Sequence, residues 1–375
     1  MKLAVVAGEA SGDLHAAKVV SELRRLDPSL VTFGIGGDRL AAEGMTLLHH
    51  AREMAIVGLF NVLRHLQFFR SVFDDLMQRI ESERPDAVLL VDYPEFNLRV
   101  AERCRKIGIK VIYYISPQVW AWRRGRVKKI ARLVDLMLVI LPFEEEFYKG
   151  HDVPVVYVGH PLIDELQGTR ASLSHSDEGP QAAQQALRIA LMPGSRDHEV
   201  ESLLPPMLDA VAALRRERDV DAFVIQAPTI SADELLDIMK RCDVYTRVVP
   251  YDGGASLAAA DVALSSSGTA TLESAIVGTP AVVMYRLSRL TFMLAKWLVH
   301  LQHFSLINII AGEEVVPELV QHDVNGERIA KTVKSLLEPE AHRRVLEALA
   351  RVRAKLGAPG ASRRAAEEVF RMLTP

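Results

Sequence analysis

The stretch Asp261-Val-Ala-Leu-Ser-Ser-Ser-Gly-Thr-Ala-Thr-Leu-Glu-Ser-Ala-Ile-Val-Gly-Thr-Pro280 decides how this chain folds. Val262 to Leu264 end a short apolar strand, and Ser265, Ser266, Ser267 and Gly268 make a turn of small residues. A helix follows, and a second strand starts beyond Pro280. Thr269 and Thr271 are placed to cap the helix, whose first turn contains Glu273. The first N–H groups of a helix lack partners and carry the positive end of its dipole, so a diphosphate could rest on them. Glu273, about one turn in, is placed to accept hydrogen bonds from a ribose diol. An ordinary α/β turn whose hydroxyls only cap the helix would carry the same residues, so the surrounding chain has to decide.

Upstream, Arg188-Ile-Ala-Leu-Met-Pro-Gly-Ser-Arg196 reads as a strand ending in a Pro-Gly-Ser turn. Arg196 opens a helix containing Glu199 and Glu201, where its guanidinium could hold a leaving phosphate or pair with either glutamate. Asp219-Val-Asp221 has the letters of a metal-binding Asp-x-Asp, but it precedes a strand at its N-terminal end and reads as a turn. Downstream, Ala281 to Tyr285 is another strand. Arg286 to Ser305 mixes Phe292, Met293, Leu294, Trp297, Leu298 and Phe304 with basic residues, and Asn308 follows.

The first half repeats the alternation. Leu3 to Ala7 is a buried strand, and Gly8-Glu9-Ala10-Ser11-Gly12-Asp13 is expected as the loop feeding a helix that begins near Leu14. Glu9 and His15 lie near the same strand end. Thr32 to Ile35, Ala87 to Val91, Lys110 to Ser116, Leu136 to Leu141 and Val153 to Val158 are further strands, giving about six or seven in a doubly wound domain. Asp92 and Glu95 follow the strand Ala87 to Val91 at its C-terminal edge, where α/β folds place ligands, so Asp92 could be a general base or a helix cap. Ala55 to Phe73 carries more apolar residues than one buried stripe requires, which suits either an acyl-chain groove or a core helix. Trp120, Trp122, Arg126 and Lys129 belong to a segment of two tryptophans and six basic residues, suited to phosphates or anionic lipid head groups.

With 375 residues, 49% hydrophobic and 25% charged, the chain has the composition of a soluble globular protein of two domains. A net charge of -3 gives no pull toward nucleic acid, and no nucleic-acid-binding module is visible. Cys104 and Cys242 show neither disulfide nor zinc spacing, which points to a reducing cytoplasm. The N-terminus enters a strand at once, leaving no room for a signal sequence, and charges interrupt every apolar run before it could span a bilayer. Expected boundaries are residues 1–166 for the first domain, 167–186 for a linker, 187–339 for the second domain and 340–375 for a helical tail, placed to pack back on the first domain.

Two such domains facing a central cleft form the GT-B glycosyltransferase architecture. Gly8-Glu-Ala-Ser-Gly-Asp13, Ser116-Pro-Gln-Val-Trp-Ala-Trp122 with Arg126-Val-Lys-Lys129, Leu141-Pro-Phe-Glu144, Pro193-Gly-Ser-Arg196 and Ser267-Gly-Thr-Ala-Thr-Leu-Glu273 resemble the motifs of the lipid-A-disaccharide synthase family. Their order matches as well, from Leu3 through about Leu319. Tyr93 and Glu95 differ from the Ala and Asp of some members.

This resemblance implies a bacterial enzyme joining UDP-2,3-diacylglucosamine to 2,3-diacylglucosamine 1-phosphate (lipid X) through a β-1,6 bond. The anomeric centre inverts and UDP departs. It implies Asp92 as base and Arg196 as stabiliser of UDP, with Glu9 and His15 as other candidates for the base. Gly194, Ser195, Arg196, Ser267, Gly268, Thr269, Glu273 and Asn308 are expected at the nucleotide. Glu9, Ser11, Gly12, Asp13, Trp120, Trp122, Arg126 and Lys129 are expected at the acceptor or lipid. Neither a cofactor nor a metal is expected, since Arg196 and helix N-termini can neutralise the diphosphate. Acylated substrates imply association with an anionic membrane surface at the cytoplasmic face of the inner membrane, and a homodimer is left open. Two alternatives stand beside it: a UDP-N-acetylglucosamine 2-epimerase-like enzyme, which gives no reason for the apolar segments, and a non-catalytic lipid-binding protein, which leaves Asp92, Arg196 and Glu273 without a task.

Overall fold

A computed structural model describes residues 1–55, 62–121, 124–167, 186–287 and 302–374. The chain forms two compact units, Met1–Pro161 with Gly357–Pro375, and Leu162–Leu356. Trp122, the apolar residues Ile56 to Phe60, most of the expected linker and the Phe292 to Trp297 part of the second apolar segment lie outside the described residues.

In the first unit the chain runs β1 (Lys2–Ala7), α1 (Ala10–Leu26), β2 (Val31–Gly36), α2 (Asp38–Ala42), β3 (Thr46–His50), α3 (Ala51–Ala55) and α4 (Val62–Glu83). It continues through β4 (Ala87–Val91), α5 (Pro94–Lys106), β5 (Lys110–Tyr114), α6 (Val127–Leu133), β6 (Leu136–Val139), α7 (Pro142–Lys149) and β7 (Val155–Tyr157). The seven strands are parallel in the order β3-β2-β1-β4-β5-β6-β7. The central strand β4 is apolar at every position because both of its faces are covered. Along β4, Val88 and Leu90 enter the core on one face, while Ala87, Leu89 and Val91 enter the core on the other. β3 is the strand of this unit absent from the sequence expectation, an edge strand of mostly half-buried residues ending in His49 and His50.

Helix α4 resolves part of the ambiguity over the first apolar segment. Val72, Leu76, Met77 and Ile80 recur at helical spacing and are buried, and Phe68, Phe69 and Phe73 pack against the same core. From Phe68 onward the segment is therefore a core helix and not a free acyl-binding surface.

The second unit runs α8 (Leu162–Glu165), β8 (Leu187–Met192), α9 (Asp197–Arg215), β9 (Val220–Gln226), α10 (Ala232–Cys242), β10 (Arg247–Pro250), α11 (Ala255–Ala258), β11 (Val262–Ser266) and α12 (Thr269–Val277). Then come β12 (Ala281–Tyr285), α13 (Leu306–Ala311), β13 (Glu318–Val320), α14 (Gly326–Leu336) and α15 (Pro339–Lys355). Its six parallel strands lie in the order β10-β9-β8-β11-β12-β13. Asp221, read from the sequence as part of a turn, is instead the second residue of β9, where it pairs with Arg247 at 2.9 Å.

The segment 340–375 divides between the units. α15 buries Val345, Leu349 and Val352 in the second unit. Gly357 and Gly360 then take left-handed conformations, and α16 (Ala361–Leu373) joins the first unit. There Ala365, Ala366 and Val369 share a core with Ala16, Val20 and Leu23 of α1, and Arg364 donates to the Val158 carbonyl at 2.8 Å. Among the described residues no helix is long and apolar enough to cross a membrane.

Candidate functional site

The strand order reverses between β1 and β4 in the first unit and between β8 and β11 in the second, the switch point at whose C-terminal edge α/β sheets place their ligands. Ala7 pairs with Val91, so Glu9 and Asp92 emerge from neighbouring strand ends. Glu9 is exposed and caps α1 from an extended conformation. Asp92 and Tyr93 both take left-handed backbone angles, with φ of 47° and 48°. Ile115, at the end of adjacent β5, does the same at φ 62°, where a β-branched residue is a marked outlier. Such strain persists only where neighbours hold it, and it concentrates at sites of function.

The holding groups are visible. Asp92 N–H donates to the Tyr114 carbonyl at 3.1 Å, while the Asp92 carbonyl accepts from Tyr113 Oη and from Asn97 Nδ2, each at 2.6 Å. The main chain is thus pinned by β5 and α5. Burial, and then the charge of nearby Glu9, push the Asp92 carboxyl up to about 6. Gly8 completes the arrangement: a Cβ there would meet the Tyr93 ring at 2.8 Å, so glycine lets the ring lie against the turn between β1 and α1. His15 lies beside His160, whose imidazole is lowered to about 3, first by burial and then by His15.

The expected loop from Gly8 to Asp13 is shorter than read. α1 begins at Ala10, which places Ser11, Gly12 and Asp13 in its first turns. Asp13 turns into the fold, accepting from the backbone N–H groups of Gly37, Arg39 and Leu40 at 2.7, 3.0 and 3.1 Å. Three donors at the start of α2 use a carboxylate that the sequence had assigned to the acceptor.

Trp120 is also withdrawn. It is 6% exposed, donates its indole N–H to Glu144 Oε1 at 3.1 Å and stacks edge-on against Phe143. Glu144 accepts as well from Ser116 Oγ at 2.6 Å and from Leu141 N–H at 3.1 Å, and burial raises its carboxyl to about 7. Arg126 pairs with Glu95 at 2.7 Å and Lys129 with Glu102 at 2.9 Å, so these two cations answer carboxylates on α5.

In the second unit Gly194, Ser195 and Arg196 join β8 to α9, with Arg196 as the N-cap. Arg196 Nη1 donates to Glu199 Oε1 at 2.9 Å, and Glu201 pairs instead with Arg241 at 2.8 Å. Across the crevice, α12 starts at Thr269 with Gly268 as N-cap and no side-chain cap. Neither threonine caps the helix as expected: Thr269 is exposed at its first position, and the Thr271 hydroxyl donates to the Gly268 carbonyl at 2.7 Å. The first N–H groups are therefore left without a capping side chain among the described residues. Among the described residues a Cβ at Gly268 would meet nothing within 4 Å, which leaves the turn open on that side, while Ser267 Oγ is tied to the Phe304 carbonyl at 3.0 Å.

Glu273 sits one turn into α12. Among the described residues its Oε2 is buried without a hydrogen-bond partner, and its carboxyl is raised to about 7, first by burial and then by Glu165, against a hydrogen bond from Tyr251. A buried orphan acceptor is costly and suits a ligand donor. Sequence reading missed Tyr251 and Glu165; the turn Asp252-Gly253-Gly254 after β10 was the available signal for Tyr251.

Asn308 is used by the fold. It is fully buried, its Nδ2 donates to Val316 O and Glu318 Oε1 at 2.8 Å, and its Oδ1 accepts from Val315 and Val316 N–H at 2.8 and 3.0 Å. With all four bonds made, it has nothing left for a nucleotide. Among the described residues no group of three His, Cys, Asp or Glu side chains gathers to hold a metal ion.

The two parallel sheets define a GT-B fold, and comparison with solved structures agrees. The crystal structure of UDP-GlcNAc 2-epimerase from Neisseria meningitidis bound to UDP-GlcNAc superposes with a TM-score of 0.68 at 13% identity, covering 99% of this chain and 100% of the other. MurG from Acinetobacter baumannii gives 0.60 at 12%, covering 99% of each chain. Sequence then separates the families that share this fold. A family model described as Lipid-A-disaccharide synthetase matches residues 3–369. The lipid-A-disaccharide synthase of Myxococcus xanthus (strain DK1622) is 42% identical over 376 residues, covering 100% of this chain and 98% of the relative. That of Anaeromyxobacter dehalogenans (strain 2CP-C) is 44% identical over 372 residues, covering 98% and 97%. The chain belongs to the lipid-A-disaccharide synthase family, and is a glycosyltransferase of lipid A biosynthesis using a nucleotide-sugar donor and a lipid acceptor.

Proposed function

We propose that the enzyme transfers 2,3-diacylglucosamine from UDP to 2,3-diacylglucosamine 1-phosphate by direct displacement with inversion, forming the β-1,6 bond. Asp92 carries this proposal: a strand-end carboxylate, held by its main chain and raised to about 6, is a base matched to neutral pH. It takes the proton of the acceptor hydroxyl as that oxygen attacks the anomeric carbon. The bond to UDP breaks on the opposite face, and no covalent enzyme intermediate is needed.

In the same proposal the second unit holds the donor. Glu273 Oε2 accepts from the ribose, the open N-terminus of α12 faces the diphosphate, and Arg196 with the Ser195 N–H neutralises the charge that grows on departing UDP. The first unit serves the acceptor, with Glu9 beside the base. Peripheral association with the cytoplasmic face of the inner membrane follows from the acyl chains of both substrates; Trp120 takes no part in it. Sedimentation with anionic vesicles tests the membrane, and analytical ultracentrifugation tests the homodimer. The deciding experiment is release of UDP from the two acylated sugars by wild type and Asp92→Asn. Equal turnover in the two would remove Asp92 as base.

A further inference from the structure

The Ser195 N–H donates to Glu199 Oε2 at 3.1 Å, and Arg196 Nη1 donates to Glu199 Oε1 at 2.9 Å. Gly194 (φ 128°) lies against the same carboxylate so closely that a Cβ would stand 2.5 Å from Oε2. One carboxylate therefore occupies the Ser195 N–H and the Nη1 group of Arg196, both assigned above to the departing diphosphate. From the other side Thr229 Oγ1 donates to the Ser195 carbonyl at 2.6 Å, which gives the loop an anchor separate from Glu199. The Arg196 and Glu199 side chains are 71% and 23% exposed, so the pair can open without unpacking the core.

A carboxylate and a phosphate offer a guanidinium the same pair of acceptor oxygens. Both anions cannot hold the same donors at once. A protein whose donors are already taken binds its ligand more weakly, by the fraction of molecules in which those donors are free.

We infer that Glu199 is an internal competitor for the diphosphate. It holds Arg196 and the Ser195 N–H in the empty enzyme, yields them to the nucleotide, and reclaims them as UDP leaves. It rests on the nucleotide assignment proposed above. Glu199 acts through Arg196 and Ser195 and is a positioning residue. Its consequence is weaker product inhibition, because each departing UDP is replaced by an anion already tethered to the loop.

The sign of a mutation separates this role from helix capping. A carboxylate at the third helical position that only supports the helix would, once removed, loosen the loop and weaken nucleotide binding. A competitor, once removed, strengthens it. Calorimetric titration with UDP is expected to show Glu199→Gln binding about 3- to 10-fold more tightly than wild type, with a matching fall in the UDP inhibition constant. Glu199→Asp, which keeps the charge on a shorter arm, should fall between them and serves if the Gln variant does not fold. Adding Glu199→Gln to Arg196→Ala should bring much less tightening. Unchanged or weaker binding in folded Glu199→Gln overturns the proposal. If Arg196→Ala weakens UDP binding while Glu199→Gln does not tighten it, only the competitor role fails. If Arg196→Ala leaves affinity unchanged, the nucleotide assignment fails with it.

Discussion

Trp120 donates its indole N–H to Glu144 at 3.1 Å, and both side chains are buried. The bond ties the segment after β5 to the start of α7, and it removes a tryptophan from the surface where a basic, aromatic sequence had placed it. Trp120→Phe keeps a ring but leaves Glu144 one donor short. Unfolding free energy should fall by about 1–3 kcal/mol, while sedimentation with anionic vesicles stays at the wild-type level. Lost vesicle binding at unchanged stability would return Trp120 to the surface.

Asn308 makes a prediction of the same kind in the second unit. Asn308→Ala leaves the Val315 and Val316 N–H groups without their acceptor, at a cost of roughly 2–4 kcal/mol, measurable by urea unfolding. UDP affinity of the folded variant should be unchanged. A fold-stable Asn308→Ala with weakened UDP binding would put the residue back at the nucleotide.

The fold was legible because buried parallel strands write themselves as apolar runs, as Ala87 to Val91 and Val262 to Leu264 do. β3 was not, because a half-buried edge strand ending in two histidines carries no such run. The strand ends were legible too: Asp92 follows β4, Arg196 stands between β8 and α9, and Glu273 lies in α12 after β11, as the motifs suggested. What the motifs could not convey was direction. Asp13, Asn308 and Trp120 sit in the same motifs and segments, yet their polar atoms turn inward to satisfy backbone or carboxylate partners. The same limit hid Glu165 from view as a neighbour of Glu273, since the two are far apart in sequence.

Glu273 links nucleotide binding to pH. Its carboxyl is raised from 4.5 to about 7, by burial first and Glu165 second, so the empty enzyme is largely protonated there below that pH. Ribose hydroxyls donate best to the ionised form. UDP affinity should rise as pH increases toward about 7 and level off above it, and Glu273→Gln should flatten the profile. At pH 8 the substitution should cost roughly 1.5–3 kcal/mol of binding. A parallel pH profile in the folded variant would assign the dependence to another group.

Asp92 and Glu9 set the acid limb of catalysis. Asp92 must be ionised to accept a proton, and its carboxyl is raised from 3.8 to about 6, by burial and then by Glu9. Wild-type kcat/KM should therefore be level above about pH 7 and fall with unit slope, about tenfold per pH unit, below about 6. Glu9→Gln removes the like charge and leaves the burial, so the limb should shift to lower pH without reaching 3.8. Asp92→Asn should lower turnover by about 100-fold or more and leave UDP affinity near wild type, because the base meets the acceptor hydroxyl and not the nucleotide. Arg196→Ala should lower turnover and UDP affinity together, since the charge it neutralises is present on the donor before the reaction and grows during it. The two variants are thus separated by one titration. If folded Asp92→Asn keeps the wild-type acid limb with both acylated substrates, the proton goes elsewhere, and Glu9 at the adjoining strand end becomes the group to replace.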